Sequence, residues 1–328
     1  MIPVLAALVL GVGHPNEIMP QSLEIEEVWR DSGPAVSMGL GGAVVDDQLV
    51  LLEGPGAEEV VAVELMSGER RSMPVSLGGQ PQFLGPATEG FAVLESNAIR
   101  VFTISEDQAE EVRSFPVLDQ TFFPKGLVAG SRTALLAAGL AGSNKGLHAI
   151  DPSGEVVASA LENPDVHDDV PHPSPDRVGR MVAGGPLTKS GEDVLFSGAD
   201  SHLVAEADPE TAALDTIRRD TSVLPSTGGD FREADGYRWW FPRGAGAAPL
   251  ENGRVLNAVR FAEEGWTLWE LYDRDGSLVD RVRLDGSYEV WGLTEDNDIV
   301  ATVLLEDSGD PYPMEAVPVL LRAETGIP

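Results

Sequence analysis

The chain contains no cysteine, very little lysine and few aromatic side chains. Without cysteine it can form no disulfide, thiolate nucleophile or cysteine-ligated zinc or iron–sulfur centre. Its basic residues number 22, of which only Lys125, Lys145 and Lys189 are lysine, against 54 acidic residues, and the net charge is −32. Because DNA or RNA binding needs cations that displace phosphate counterions, we expect no nucleic-acid partner. The acidic excess indicates a solvated surface that favours solubility.

The N-terminal segment Ile2–Gly13 is an apolar run that is too short to cross a bilayer as a helix. It fits the apolar region of a secretory signal, although the basic residues that usually precede such a region are missing. A buried first strand is the alternative. We therefore predict a signal-like segment at 1–13 and export to the periplasm or the exterior, or a cytoplasmic location if 1–13 is not a signal. We do not expect the chain to be an integral membrane protein.

Short apolar runs recur along the chain and are bounded by turn residues, in a composition with 36 Gly and 24 Pro. Such runs are typical of an all-β protein. Six runs stand at spacings of 42, 43, 60, 61 and 44 residues: Leu49–Glu53, Phe91–Ser96, Ala134–Gly139, Val194–Gly198, Val255–Val259 and Ile299–Val303. A second strand-like run, a tight turn and a third run follow most of them, which indicates a repeated antiparallel sheet.

The last repeat lacks its final strand, whereas Ser22–Arg30 supplies a strand that has no partner at the start of the chain. Pairing of residues 22–30 with residues 317–322 would close a ring of sheets and protect their edges. The sequence thus predicts an all-β fold, a six-bladed β-propeller with four-stranded antiparallel blades and an N-terminal closing strand. It would form one domain over residues 22–328, as a monomer.

Two segments, Ile99–Ile104 and Trp269–Leu284, carry the pattern of an apolar run, a VxVF or LYD strand, a D-G turn and an outer strand. In this pattern the chain resembles the bacterial six-bladed propellers of the NHL and gluconolactonase-like (TolB-like) superfamily. Gly78–Pro86 is similar to the connection between blades in that group, but it departs from the usual GPGEF form. The resemblance implies that a divalent cation such as calcium could sit at the pore, held by Glu, Asn and Asp. No residue of this chain matches those ligands.

Long connections are all predicted on one face of the propeller, including the insertions 162–179 and 220–246, whereas the opposite face carries tight hairpins. We call the first the long-loop face. Long loops on a rigid scaffold commonly hold binding residues. Aromatic and arginine side chains of the second insertion could stack on a ring and pair with an anionic group. The candidate ligand-binding residues are Tyr237, Arg238, Trp239, Trp240 and Arg243, together with Tyr312 on another long loop. The alternative is that the aromatic residues anchor the insertion on the propeller.

The first insertion offers oxygen and nitrogen ligands at short spacing. The candidate metal ligands are His167, Asp168, Asp169 and His172. Their spacing matches no known metal motif, and a solvated acidic loop is the alternative. Scans for P-loops, metalloprotease motifs and dinucleotide fingerprints find nothing.

Three functions remain open, because propellers host all of them. The first is a binding module for a small molecule, carbohydrate or protein at the long-loop face. The second is a metal-assisted, lactonase-like hydrolase, and the third is a structural scaffold. The catalytic residues of any enzyme remain unknown at this point.

Overall fold

The computed structural model describes most of the chain as β-strands joined by turns. The described residues are 23–38, 40–53, 59–105, 108–117, 121–162, 184–198, 203–219, 231–232, 238–239, 243–250, 253–261, 265–305 and 314–325. Within these ranges the structure has no α-helix. A helix with the length and apolarity needed to cross a bilayer is likewise absent from these described ranges.

The strands form antiparallel four-stranded sheets in chain order. The first sheets are β3 (Gly42–Val45), β4 (Gln48–Glu53), β5 (Glu59–Glu64) and β6 (Arg70–Met73); β7 (Pro81–Ala87), β8 (Gly90–Glu95), β9 (Ala98–Ser105) and β10 (Gln108–Pro116); and β11 (Thr121–Ala129), β12 (Ala134–Leu140), β13 (Lys145–Ile150) and β14 (Val156–Glu162). A single parallel bridge between Ala87 and Ala129 joins the β7–β10 and β11–β14 sheets into one eight-stranded sheet.

The second half of the chain repeats this order. Its strands are β15 (Leu187–Ser190), β16 (Asp193–Ser197), β17 (Leu203–Ala207) and β18 (Leu214–Arg219); β21 (Arg243–Pro249), β22 (Val255–Phe261), β23 (Trp266–Tyr272) and β24 (Leu278–Asp285); and β25 (Tyr288–Leu293), β26 (Ile299–Leu304) and β27 (Met314–Thr325). Between them, β19 (Phe231–Arg232) and β20 (Arg238–Trp239) form a two-stranded sheet.

The N-terminal strand β1 (Leu23–Arg30) is the outer strand of the last sheet. It pairs antiparallel with β27, from Leu23 opposite Thr325 to Arg30 opposite Val319. The expected pairing of residues 22–30 with the end of the chain is therefore present over the described residues. A short strand, β2 (Val36–Met38), pairs with the start of β27 and leads the chain into the first sheet.

The first strands of consecutive sheets contact one another in a closed cycle: β3 with β7, then β11, β15, β21 and β25, and β25 with β3 again. Glycine permits this close approach of backbones. Gly41 forms a parallel bridge with Leu84, and a Cβ at Gly85 would lie 2.1 Å from the carbonyl oxygen of Leu127. Sheets arranged radially around such a cycle constitute a β-propeller.

Five outer strands share a bulge in which one extra residue faces the neighbouring strand, whereas β6 pairs regularly with β5. The extra residue is always β-branched: Val28, Val112, Val157, Ile217 and Val279. Bulges increase the local twist of an edge strand, and this twist discourages pairing with another chain.

Apolar side chains fill the space between neighbouring sheets. Leu52 on β4 and Phe91 on β8, for example, are both fully buried in one cluster between their sheets. The cluster between the β15–β18 and β21–β24 sheets has the fewest buried apolar residues in the described part of the chain: Leu195, Val204, Ala247, Val255 and Tyr272. The segment that contains β19 and β20 connects these two sheets along the chain.

The predicted insertion 220–246 extends too far at its C-terminal end. Residues Arg243–Pro249 form β21, the first strand of its sheet, and pair with β22. The segment reads RGAGAAP and has no β-branched residue that would mark it as a strand. Small residues are required there because a Cβ at Gly246 would lie 2.8 Å from the carbonyl oxygen of Val290 on the next sheet.

Candidate functional site

The long-loop face is defined by the antiparallel order of the strands. The connections β4–β5, β12–β13, β16–β17, β22–β23 and β26–β27 lie at one end of the sheets, together with the links from one sheet to the next. The link that contains β19 and β20 and the link between β14 and β15 are the longest. At the other end, β3–β4, β7–β8 and β15–β16 are joined by two-residue turns.

Most residues that the sequence singles out lie outside the described residues. These are Tyr237, Trp240, Tyr312, His167, Asp168, Asp169 and His172, as well as the signal-like segment 1–13. Arg238 and Trp239 form β20, where they stand opposite Arg232 and Phe231. Arg243 begins β21 and stands opposite Arg260 on β22. Among the described residues, no three His, Asp or Glu side chains gather in a group that could hold a metal ion.

A stack of three side chains stands at the long-loop end of the β21–β24 sheet, and we call it the aromatic stack. Phe261 ends β22 and Trp266 begins β23, directly opposite one another. Their ring centroids are 3.8 Å apart at an interplanar angle of 14°. The guanidinium of Arg283 on β24 lies 4.5 Å from the Trp266 ring centroid, within the range of a cation–π contact.

The aromatic stack faces the β15–β18 sheet. Side chains two residues apart on a strand share one face, so Phe261, Asn257 and Val255 point the same way. Val255 packs with Leu195 and Val204 of the β15–β18 sheet. The stack therefore lies at the long-loop end of the interface between these two sheets.

Polar side chains occupy the interior of the same interface, and we call them the polar seam: Ser197, Asn257, Glu270 and Tyr272. The Ser197 hydroxyl donates to Asn257 Oδ1 at 2.9 Å, and the Tyr272 hydroxyl donates to Glu270 Oε2 at 2.6 Å. A hydroxyl donor to a carboxylate forms a short, charge-assisted bond that offsets part of the cost of burial. The Ser197–Asn257 bond thus links the two sheets, whereas the Tyr272–Glu270 bond lies within β23.

The first strands of these two sheets are also joined by polar contacts. Thr188 on β15 donates its hydroxyl to the carbonyl oxygen of Ala247 on β21. A Cβ at Gly244 would lie 2.5 Å from the Ser197 hydroxyl oxygen, so the backbone of β21 packs directly against the seam. Side chains larger than glycine at position 244 would displace Ser197.

An arginine and a glutamate face one another across the next interface. Arg260 Nη1 lies 3.8 Å from Glu289 Oε2, and each side chain is 13% exposed. This distance is too long for a hydrogen bond, so these two atoms attract each other only electrostatically. Glu289 is the second residue of β25, and the pair therefore stands near the axis on the long-loop face.

His148 on β13 is a structural residue, and both of its ring nitrogens form hydrogen bonds within the sheet. Its Nε2 donates to the carbonyl oxygen of Lys145 at 2.9 Å, and its Nδ1 accepts from the Ser159 hydroxyl at 2.8 Å. Burial lowers the pKa of His148, so the ring is held neutral with both nitrogens in use.

No family model matches the chain, and a search of the curated proteins finds no match. Among solved structures, the PQQ-bound form of aldose sugar dehydrogenase from Streptomyces coelicolor aligns at a TM-score of 0.50 and 10% identity, over 93% of this chain and 99% of that one. The fold is a β-propeller. At this identity the likeness concerns the fold alone.

Two further solved structures align at lower scores. A streptogramin B lyase structure gives a TM-score of 0.46 at 12% identity, over 92% of this chain and 98% of that one. A chain of the mitotic checkpoint complex gives 0.47 at 9% identity, over 95% and 98%. No argument about this propeller rests on these two alignments.

The aromatic stack and the polar seam lie outside the set of residues that the sequence singles out. The stretch Phe261–Trp266 contained the signal, because two aromatic residues there flank a short polar loop at the end of a hairpin. The polar seam had no comparable signal. Ser197, Asn257 and Glu270 come from three separate strands, and only the packing of the sheets brings them together.

Proposed function

We propose that the propeller has six blades. The β7–β10 and β11–β14 sheets share only the Ala87–Ala129 bridge, and we count them as two blades. The closed cycle of contacts among β3, β7, β11, β15, β21 and β25 supports this count. Membership of the NHL and gluconolactonase-like group remains a proposal on the same footing. A crystal structure with another number of radial sheets would refute the six-bladed count.

We propose that the protein is a binding module that takes a small molecule, carbohydrate or protein at the long-loop face. Its site is the interface between the β15–β18 and β21–β24 sheets. The observation that carries this proposal is the aromatic stack, which places Phe261, Trp266 and Arg283 at the loop end of that interface. Aromatic and arginine side chains are the types that contribute most binding energy in recognition sites.

Thermal unfolding in the presence of defined compounds tests the binding module. The panel comprises mono- and disaccharides and the free amino acids. A ligand at about 100 times its Kd adds ~2.7 kcal/mol to stability, and this raises Tm by several degrees. We expect at least one compound to raise Tm in the native protein and to lose this effect in Trp266→Leu.

Trp29→Leu is the matched control, because Trp29 is a partly buried tryptophan on the outer strand β1 of another sheet. The ligand-induced rise in Tm should persist in Trp29→Leu. The proposal fails if no compound raises Tm, or if Trp29→Leu abolishes the rise while Trp266→Leu preserves it.

We propose further that the protein is exported and works as a monomer. The apolar run Ile2–Gly13 supports export. Expression in a bacterial host followed by mass spectrometry of the periplasmic fraction should yield a chain that begins after residue 13. A full-length chain found only in the cytoplasm would contradict export. A molar mass of twice that of one chain, measured by light scattering, would contradict the monomer.

A further inference from the structure

A carboxylate stands beside the aromatic stack. Phe261, Trp266 and Asp285 occupy directly opposed positions on the neighbouring strands β22, β23 and β24, at the long-loop end of their sheet. Side chains at directly opposed positions share one face of a sheet, with Cβ atoms about 4.5–5.5 Å apart. The side chain of Asp285 is 95% exposed. The row therefore places an accessible carboxylate next to the Trp266 ring.

A cation already occupies one face of the Trp266 ring. Phe261 stacks on the ring from β22, with 3.8 Å between the centroids. The Arg283 guanidinium contacts the ring from β24, on the other side of β23, with its carbon 4.5 Å from the centroid. Phe261 and Arg283 therefore cover opposite faces of the ring. An indole face has negative electrostatic potential, which attracts cations.

Arg283 is held only loosely on this face. Its side chain is 57% exposed, and its Nη2 lies 3.7 Å from Asp285 Oδ1, beyond the distance of a hydrogen bond. Exposed ion pairs and exposed cation–π contacts are weak, and an arginine that is held in place loses rotamer freedom. The guanidinium can therefore leave the Trp266 ring at little cost. Its departure uncovers an aromatic face beside a carboxylate.

The charge of the protein decides which kind of ligand this arrangement favours. An anion could pair with Arg283, whereas a cation could take its place on Trp266. The field of a protein with net charge −32 attracts cations and repels anions at long range. At short range, Asp285 repels an anion that approaches Arg283 and attracts a cation that approaches Trp266. Both effects favour the cation, and aromatic rings commonly recognise quaternary ammonium groups.

We propose that the aromatic stack binds the alkylammonium group of a small molecule, which replaces the Arg283 guanidinium on the Trp266 ring and pairs with Asp285. This inference rests on the proposed binding function and adds the chemical class of the ligand. Arg283 covers the ring while the site is free and competes with the ligand for it. Removal of Arg283 should therefore strengthen binding, whereas removal of a residue that contacts the ligand would weaken it.

NMR titration at low ionic strength with three compounds of one shape tests the inference. They are choline, which is a cation, neohexyl alcohol, which is its neutral carbon isostere, and the anion of tert-butylacetic acid. Choline should bind about fivefold or more tightly than either of the others, because the ring and the carboxylate both favour the cation.

Three variants and a matched control locate the binding. Trp266→Leu should abolish choline binding, Asp285→Asn should weaken it about threefold or more, and Arg283→Gln should tighten it about twofold or more. Asp193→Asn is the control. It also removes one exposed carboxylate, but from the short-hairpin end of the β15–β18 sheet, and it should leave choline binding unchanged.

The outcomes separate this inference from the proposed binding function. Equal or tighter binding of the neutral or anionic compound, with loss in Trp266→Leu, would overturn the cationic class and leave the binding module standing. Choline binding that is unchanged in Asp285→Asn or weakened in Arg283→Gln, or no choline binding at millimolar concentration, would also overturn it. If Trp266→Leu unfolds, Asp285→Asn and Arg283→Gln decide, since both replace exposed side chains.

Discussion

Replacement of Gly85 by alanine should destabilise the propeller far more than the same replacement at Gly292. Both glycines lie on first strands and have ordinary φ values, so neither substitution strains the backbone itself. A Cβ at Gly85 would lie 2.1 Å from the Leu127 carbonyl oxygen and 2.9 Å from its carbonyl carbon. A Cβ at Gly292 would instead meet the Val44 side chain at 3.1 Å.

The loss of stability in Gly85→Ala depends on how far β7 and β11 must separate to admit the new Cβ. Real Cβ contacts are essentially never below 3.0 Å, so β7 and β11 must separate by about 0.9 Å at Gly85. That separation strains the Ala87–Ala129 bridge and the hydrogen bond from Thr88 N to Ala129 O at 2.9 Å. Overpacking costs about 1–3 kcal/mol, and a lost hydrogen bond adds ~1 kcal/mol. The lower entropy of the unfolded chain returns ~0.4–1 kcal/mol in either variant.

We therefore expect Gly85→Ala to lower the free energy of unfolding by about 1–3.5 kcal/mol, and Gly292→Ala to change it by less than ~1 kcal/mol. Urea unfolding followed by tryptophan fluorescence measures both values at an unchanged m-value. The reasoning is refuted if Gly85→Ala unfolds at the native urea midpoint, or if Gly292→Ala is the more destabilised variant.

Two further predictions concern ionisable side chains that are buried or partly buried. Arg70 Nη2 contacts Asp31 Oδ2 at 2.6 Å, and Arg70 Nη1 contacts Glu53 Oε1 at 2.8 Å. Because Arg70→Ala leaves the buried Asp31 carboxylate without its cation, it should lower the free energy of unfolding in urea by about 3–5 kcal/mol. Arg30→Ala, which breaks an exposed pair with Glu27, should lower it by under ~1 kcal/mol, and equal losses in the two variants would contradict this account. For His148, whose pKa is lowered by burial, the unfolded state binds more protons as pH falls through 6.5, and stability should drop from pH 8 to pH 5.5. His148→Gln should reduce this drop, whereas an unchanged pH profile in His148→Gln would show that other groups cause it.

Much of the fold could be predicted because strands two and three of each sheet are apolar and end in recognisable turns. Phe91–Ser96 and Ile99–Ile104, for example, correspond to β8 and β9. The first strands were not recognised as strands. β7 reads PQFLGPA and β21 reads RGAGAAP, and their glycines and prolines indicate loops when taken alone. Crowding at the axis selects these small residues, and crowding is a property of the assembled ring.

The bulges follow a short pattern that is present in the sequence. EEVW, EEVR and DTIR each place a β-branched residue directly after two polar ones at the bulge of an outer strand. The same short pattern marks β10 and β18 as well as β1, which the unpartnered run Ser22–Arg30 already predicts. The site itself was harder to predict. The polar seam depends on contacts between strands that lie far apart in the sequence, and periodicity within one strand does not reveal them.

The pairing of β1 with β27 also constrains how the protein can fold as it is synthesised. Leu23 leaves the ribosome about 300 residues before its partner Thr325. At typical elongation rates of ~5–20 residues per second, β1 is synthesised roughly 15–60 s before its partner β27, and its edge is unpaired during that time. Four charged side chains, Glu24, Glu26, Glu27 and Arg30, keep the unpaired strand soluble and discourage pairing with a neighbouring nascent chain.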